Sequence, residues 1–240
     1  MPETKQASDW GEAVPTRRGR WRPWRCLVFL PALWLLPSLP GCASFADDRV
    51  HDVTADGVYL FRKGDYTGAR EDFEYALKLK PDDSTLVYNI GQCFDRQGDN
   101  TKAEALYREC IHEAPNHAPC RHALAMLLLR QGKRAEADRM IEDWLADQPQ
   151  LADAYAEDGW RLRQDGDLPK AQARLQQALE LDPHNVRALE EMGIYYEVTD
   201  RPARALALYE EALKKDPQQE DLIQRVSLLK SKGVGRPLPD

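Results

Sequence analysis

Between Val50 and Gln219 apolar and polar residues alternate with the period of an α-helix. The apolar positions fall three and four apart, as in Phe73, Ala76 and Leu77; Tyr107, Cys110 and Ile111; Leu175, Ala178 and Leu179; and Tyr209, Ala212 and Leu213. That spacing lines one helix face and predicts short amphipathic helices with a buried stripe. Past Gln219, Leu222, Ile223, Val226 and Leu229 predict one more amphipathic helix, over 220–230.

The pattern itself recurs every 34 residues. Gly57, Gly91, Ala125, Gly159 and Gly193 keep that spacing, as do Ala69, Ala103, Ala137, Ala171 and Ala205, and Pro81, Pro115, Pro149, Pro183 and Pro217. Gly64, Gly98, Gly132 and Gly166 form a fourth series that ends in Asp200. A fixed period of this length marks a stack of identical supersecondary units. Facing small residues let two helix axes approach toward the low end of the roughly 8–10 Å packing range. The Gly64 series supplies the left-handed residue that ends a helix, and each proline stops the second helix of its unit.

Two places break the series. Trp144 stands where Ala76, Cys110, Ala178 and Ala212 stand, and its bulk predicts a wider or rotated junction. Asp158 and Arg174 replace the apolar pairs Ile90 and Leu106, Leu124 and Met140, and Met192 and Leu208. They read equally as an ion pair within one hairpin or as two side chains reaching solvent separately.

These series resemble the tetratricopeptide repeat (TPR) family over Val50 to Gln219. The resemblance implies an all-α, right-handed TPR solenoid of five helical hairpins (50–83, 84–117, 118–151, 152–185 and 186–219), with 220–230 capping the stack and 231–240 a flexible tail. It also implies a concave groove, formed by the first helix of each hairpin, that holds an extended peptide or a partner helix. Its lining would be Val58, Phe61, Arg62, Tyr88, Gln92, Arg96, His122, Met126, Leu129, Arg130, Trp160, Arg163 and Ile194. Arg62, Arg96 and Arg130 would form a basic line on its rim; the plainer role of such residues is solubility or a helix C-terminus. The Lys, Asn and Arg clamp by which some members hold a terminal carboxylate is matched only at Asn89, with Thr54, Val58, Pro119 and Ala123 at its other places.

The amino terminus carries a different signal. Arg17, Arg18, Arg20, Arg22 and Arg25 precede an apolar stretch, Cys26 to Leu39, broken by Pro31 and Pro37. This is the layout of an export signal over 1–41, and the stretch falls short of the roughly 20 residues needed to span a bilayer. Leu39-Pro40-Gly41-Cys42 resembles the lipobox of bacterial lipoproteins, from which Pro40 departs. The resemblance implies acylation of Cys42 and, with Ala43 following it, sorting to an outer membrane facing the periplasm. The alternative is ordinary signal cleavage beside an incidental cysteine. Residues 42–49 would then be a tether, whose seven residues from Ala43 to Arg49 reach ~25 Å when extended at roughly 3.3–3.6 Å per residue.

Charge and chemistry narrow the function. Of 33 Lys and Arg and 40 Asp and Glu, residues 1–41 hold six and three, which leaves 27 against 37 in the body. An acidic body disfavours general phosphate-backbone binding, so nucleic acid is not expected as a partner. His112, Glu113 and His117 fail the zinc-protease spacing, and Pro115 interrupts the helix that would carry them. No phosphate loop, nucleophile elbow or haem attachment site occurs. Cys110, His112, His117, Cys120 and His122 crowd one turn; they read either as metal ligands or, more plainly, as a core cysteine with surface histidines, and no metal or cofactor is expected. A Cys110–Cys120 disulfide is open, with buried free thiols slightly preferred and Cys93 left over. The expected function is a non-enzymatic, membrane-anchored protein–protein interaction scaffold in the bacterial envelope, with no small-molecule substrate. It would assist pilus, secretion or outer-membrane assembly; docking of cell-wall hydrolases and an enzyme with an unrecognised site are the alternatives.

Overall fold

The computed structural model describes residues 41–235, so the expectations for the export segment and for residues 236–240 lie outside the described residues. Eleven helices and no strand occur among them. The five hairpins are α1 (Gly41–Arg62) with α2 (Tyr66–Leu79), α3 (Ser84–Arg96) with α4 (Asn100–Glu113), α5 (Ala118–Arg130) with α6 (Arg134–Asp147), α7 (Ala152–Gln164) with α8 (Leu168–Leu181), and α9 (Val186–Val198) with α10 (Pro202–Lys215). Helix α11 (Glu220–Ser231) closes the stack. Each hairpin packs chiefly on its neighbours, as in a solenoid.

The repeat series carry the packing. A Cβ built on Gly91 would lie 2.6 Å from Tyr107 Cε1, and one on Gly159 2.6 Å from Leu175 Cγ, so in these hairpins the second helix rests directly on glycine backbone. Ala69, Ala103, Ala171 and Ala205 are fully buried. The third hairpin has Ala125 in the glycine place, and α5 and α6 make the sparsest contact of the five pairs. The expected loosening near Trp144 is present there and at the α6–α7 junction, the sparsest between repeats. Trp144 is buried under the Arg121 guanidinium, 4.7 Å from the ring centroid.

Chain reversals follow from backbone chemistry. Gly64, Gly98, Gly132 and Gly166 have φ between 76° and 83°, and Asp200 takes the same left-handed conformation at 56°. Asp65, Asp99 and Asp167 then cap the second helices by accepting a backbone N–H, a role that Lys133 and Arg201 leave unfilled at the equivalent places.

Three expectations are corrected. Residues 42–49 are not an extended tether but the first two turns of α1, in keeping with the lack of proline or glycine among these eight residues. In α11, Leu222, Val226 and Leu229 are buried as expected, but Ile223 points outward at 45% exposure, since its neighbours complete the stripe without it. Cys110 and Cys120 are joined in a disulfide with Cα atoms 6.3 Å apart, instead of standing as free thiols. Between the two remaining readings of Asp158 and Arg174, the structure has the ion pair, at 2.9 Å.

Candidate peptide-binding groove

Helices α3, α5, α7 and α9 lie side by side on the inner face, where α3 touches α5, α5 touches α7 and α7 touches α9 across the repeats. The residues expected to line a groove fall into two groups that differ in their surroundings.

The C-terminal half is filled by the protein's own charges. Glu157 and Glu191, both buried, sit in the repeat position that Asn89 holds in α3. Glu157 faces His122 at 2.7 Å, and Glu191 accepts from Arg163 at 2.7 Å and lies 3.3 Å from Arg187. Arg225 of α11 donates to Glu197 at 2.8 Å, and that carboxylate also accepts from the Tyr209 hydroxyl. Buried carboxylates persist only when paired in this way. Beside them, burial pushes the Glu190 carboxyl above its usual range, against the pull of Arg187 and with added push from Glu191. Arg163 is thus engaged within the protein. Trp160 is also not a free groove aromatic: it is 3% exposed, packed against the core of the second and third hairpins, with the His122 ring edge-on to it at 4.7 Å. Ile194 is partly buried against the C-terminal core.

The N-terminal half is open. A cavity of about 270 Å³ is lined by Val58, Phe61, Arg62, Phe73, Tyr88, Asn89 and Gln92. Gln92 donates to the Tyr107 hydroxyl at 2.9 Å, which fixes one wall, and the Tyr88 ring packs on Tyr107 and His117. Burial raises the Tyr88 phenol above its usual range, so it stays a neutral donor. A second cavity, about 660 Å³, opens on the other side of Tyr88 and runs into the C-terminal half, where Asp153, Glu157, Asn185, Arg187 and Glu190 line it. Met126 is exposed and Leu129 half-buried beside them.

The arginine line is uneven. Arg130 pairs with Asp95 of the preceding repeat, and the Arg96 guanidinium stands 5.9 Å from the Phe61 ring centroid. Neither Arg62 nor Arg96 makes an ion pair with any described residue. The superhelix is also tight: Gln218, in the turn before α11, shares a cavity wall with Val58, Tyr59 and Arg62 of α1. The engaged charges Glu157, Glu191 and Arg187 had a signal in the sequence, since charged residues at a concave repeat position demand partners.

Of the cysteine and histidine cluster, His112 is exposed beside Glu113 and His122 lies in the groove. Cys110, His117 and Cys120 alone converge among the described residues, with their ligand atoms within 4.8 Å of one another. Cys93 is a buried free thiol pushed up to about 11 by burial, which leaves it unreactive at neutral pH.

A Tetratricopeptide repeat family model matches residues 55–118 and 157–220, and a second Tetratricopeptide repeat model matches 96–157. The chain belongs to the tetratricopeptide repeat family. Tetratricopeptide repeats mediate protein–protein interaction, and the fold is typically a non-catalytic scaffold. Among solved structures, the thermophilic TPR protein TTC0263 of Thermus thermophilus superimposes with a TM-score of 0.55 at 24% identity, covering 76% of this chain and 99% of that one. Human IFIT1, solved as a dimer with PPP-AAAA, gives 0.51 at 19% identity, covering 77% of this chain and 46% of its own. Both likenesses are of fold. No curated protein matches the chain.

Proposed function

We propose that this TPR protein is a lipid-anchored adaptor of the bacterial envelope, whose groove holds an acidic partner segment with an aromatic or aliphatic anchor. The observation that carries the reading is the open N-terminal half of the groove, where Arg62 and Arg96, without an ion pair among the described residues, stand beside Phe61, Tyr88 and the 270 Å³ cavity. An unpaired guanidinium next to apolar surface recognises a carboxylate bidentately while the anchor fills the cavity. Pilus, secretion or outer-membrane assembly components are the partner class this reading favours.

Two features support export. The cationic and apolar layout of residues 17–39 leads into Leu39-Pro40-Gly41-Cys42, and a disulfide joins Cys110 to Cys120, as in proteins of oxidising compartments. Among the described residues no helix is long and apolar enough to cross a membrane, so attachment would rest on the Cys42 lipid. Because α1 starts at Gly41, the seven residues from Ala43 to Arg49 rise only about 10 Å at 1.5 Å per residue, and the repeats would sit against the bilayer surface. The test is purification of the tagged full chain from detergent-solubilised membranes, with identification of what accompanies wild type but not Arg96→Glu. A wild-type partner set in that folded variant would remove the groove from the proposal.

A further inference from the structure

The repeats provide an internal comparison for the joint between α4 and α5. Where Cys110 stands, the other second helices carry Ala76, Trp144, Ala178 and Ala212, and where Cys120 stands the following first helices carry Leu86, Ala154, Ala188 and Leu222. At the N-cap place of His117 the others carry Asp83, Leu151, Asn185 and Gln219. Three positions filled elsewhere by core contacts or oxygen caps hold thiols and an imidazole at this joint alone. Histidine is a poor choice for a cap, although its Nδ1 does accept from Cys120 N–H at 3.2 Å.

Geometry brings the three together. Cys110 lies in the last turn of α4 and Cys120 in the first turn of α5, and the two side chains enter the wedge between the helices from opposite sides. The two bonded sulfurs and a His117 ring nitrogen lie within 4.8 Å of one another, so on reduction only the sulfurs need part to make room for an ion. A tetrahedral zinc site places such atoms about 3.3–3.8 Å apart, from metal distances of roughly 2.3 Å to sulfur and 2.0–2.1 Å to nitrogen. Cys110 Sγ lies 3.6 Å from the Ser84 carbonyl oxygen, which a thiol proton would reach after reduction.

We propose that Cys110, His117 and Cys120 form a redox-gated site for a thiophilic d10 ion, Zn²⁺ or Cu⁺. In the oxidised protein the S–S bond occupies both sulfurs and excludes the ion. A dithiol reductant of the thioredoxin class delivers two electrons and two protons, which break the S–S bond into two thiols while the reductant becomes a disulfide. Binding of the ion then releases both thiol protons and forms two metal–thiolate bonds, with His117 as the third protein ligand and an exchangeable fourth position. Soft sulfur ligands with one imidazole select these ions over Mg²⁺ or Ca²⁺. The site lies at the joint between the second and third hairpins, and His117 packs on the Tyr88 ring of the groove wall.

The test uses the full chain reduced with a phosphine, which is removed anaerobically before metal is added, and Co²⁺ as the probe for a Zn²⁺ site. A thiolate-to-Co²⁺ charge-transfer band at one equivalent, displaced by Zn²⁺, is expected in the reduced protein and absent from the oxidised one. Cys110→Ser should abolish it, and Cys93→Ser should leave it intact. His117→Asn keeps an acceptor for Cys120 N–H but offers no imidazole, and should weaken Zn²⁺ binding at least tenfold. A reduced protein that gives no band, a band retained in Cys110→Ser, or wild-type affinity in His117→Asn would overturn the assignment.

Discussion

Arg174 Nε of α8 stands 2.9 Å from Asp158 Oδ2 of α7 in an ion pair, across a pair of positions that is apolar in three of the other four hairpins. Asp158 is 3% exposed and also accepts from Arg161 at 2.7 Å, so its charge is doubly compensated. Removing one partner of a buried pair strands the other, whereas replacing both with apolar groups is often neutral or stabilising. Asp158→Ala should therefore cost about 1–3 kcal/mol. Arg174→Leu should cost under about 1 kcal/mol because Arg161 remains. The double change to Ile and Leu, which restores the pattern of Ile90 and Leu106, should unfold at or above the wild-type midpoint. Denaturant unfolding of the four proteins as a cycle measures the coupling, and additive losses would show that the pair does not act as one.

The glycine series predicts an asymmetry between hairpins. In Gly91→Ala the new Cβ must displace the Tyr107 ring, which is fully buried and held through its hydroxyl by Gln92. Overpacking of that kind costs about 1–3 kcal/mol. The third hairpin already carries Ala125, so Ala125→Gly relieves no clash there and loses helix propensity, about 1 kcal/mol. Thermal unfolding should fall in both variants. Only Gly91→Ala should also weaken the Gln92 to Tyr107 bond, visible as a changed tyrosine near-UV signal.

Much of this was legible because a repeat multiplies its own signal. Five glycine or alanine, five alanine and five proline positions at one spacing define helices, turns and hairpin contacts before any side chain is placed, and Asp200 behaves as the glycines it replaces. What stayed hidden depends on distances between repeats. The burial of Trp160 follows from how closely α5 approaches α7, and the closure of Gln218 on α1 accumulates a small rotation over five units. Neither is written in one period. The groove was legible as a surface but not as two halves, because that division rests on Glu157 and Glu191 finding Arg187 and Arg163 one repeat away.

Acid should act on the helix caps and on one hairpin in opposite senses. Lys102 holds Asp99 below the usual carboxylate range, first through its ammonium and then through its backbone N–H, and Lys170 does the same for Asp167. The unfolded chain then binds more protons than the folded one, so this stability is present above the ordinary Asp pKa of 3.8 and is lost as pH falls through the depressed values. Asp72 is the reverse. Burial, then Asp56, Glu71 and Asp65, raise its pKa, so its contribution is present below 3.8 and lost as pH rises through the raised value. Asp99→Asn and Asp167→Asn, which keep the cap acceptor, should flatten the fall in stability at acid pH. Asp72→Asn should raise stability at neutral pH and leave it unchanged at pH 3. Unfolding midpoints by circular dichroism between pH 2.5 and 7 decide between these signs.

Cap chemistry also gives a local test. Asn185 is 8% exposed, accepts the Ala188 N–H at 2.9 Å and donates to Asp153 at 2.6 Å, which ties the start of α9 to α7. Asn185→Ala removes both bonds and should cost about 1–2 kcal/mol. The loss should concentrate in the fourth and fifth hairpins, because a solenoid passes damage to nearest neighbours first. Hydrogen exchange that accelerates equally in α1 and α9 would contradict that coupling.

The groove proposal makes a prediction that separates charge from shape. Arg96 has no ion pair among the described residues and stands over Phe61, while Tyr88 divides the two cavities and contributes an aromatic face to each. A partner segment with spaced carboxylates would gain from Arg96 an attraction that salt screens, over a Debye length near 10 Å at 0.1 M. From Tyr88 it would gain apolar contact that salt leaves intact. Both Arg96→Glu and Tyr88→Ala should weaken binding of the co-purified partner about tenfold, ~1.4 kcal/mol. They should differ in salt dependence: between 50 and 500 mM NaCl the affinity of Tyr88→Ala should fall in parallel with wild type, and that of Arg96→Glu should stay nearly flat. Arg163→Ala is the control, because Arg163 is engaged by Glu191 inside the protein and should change stability more than affinity. Parallel salt slopes in all three variants would mean that the partner does not read Arg96, and would move recognition to the apolar wall alone.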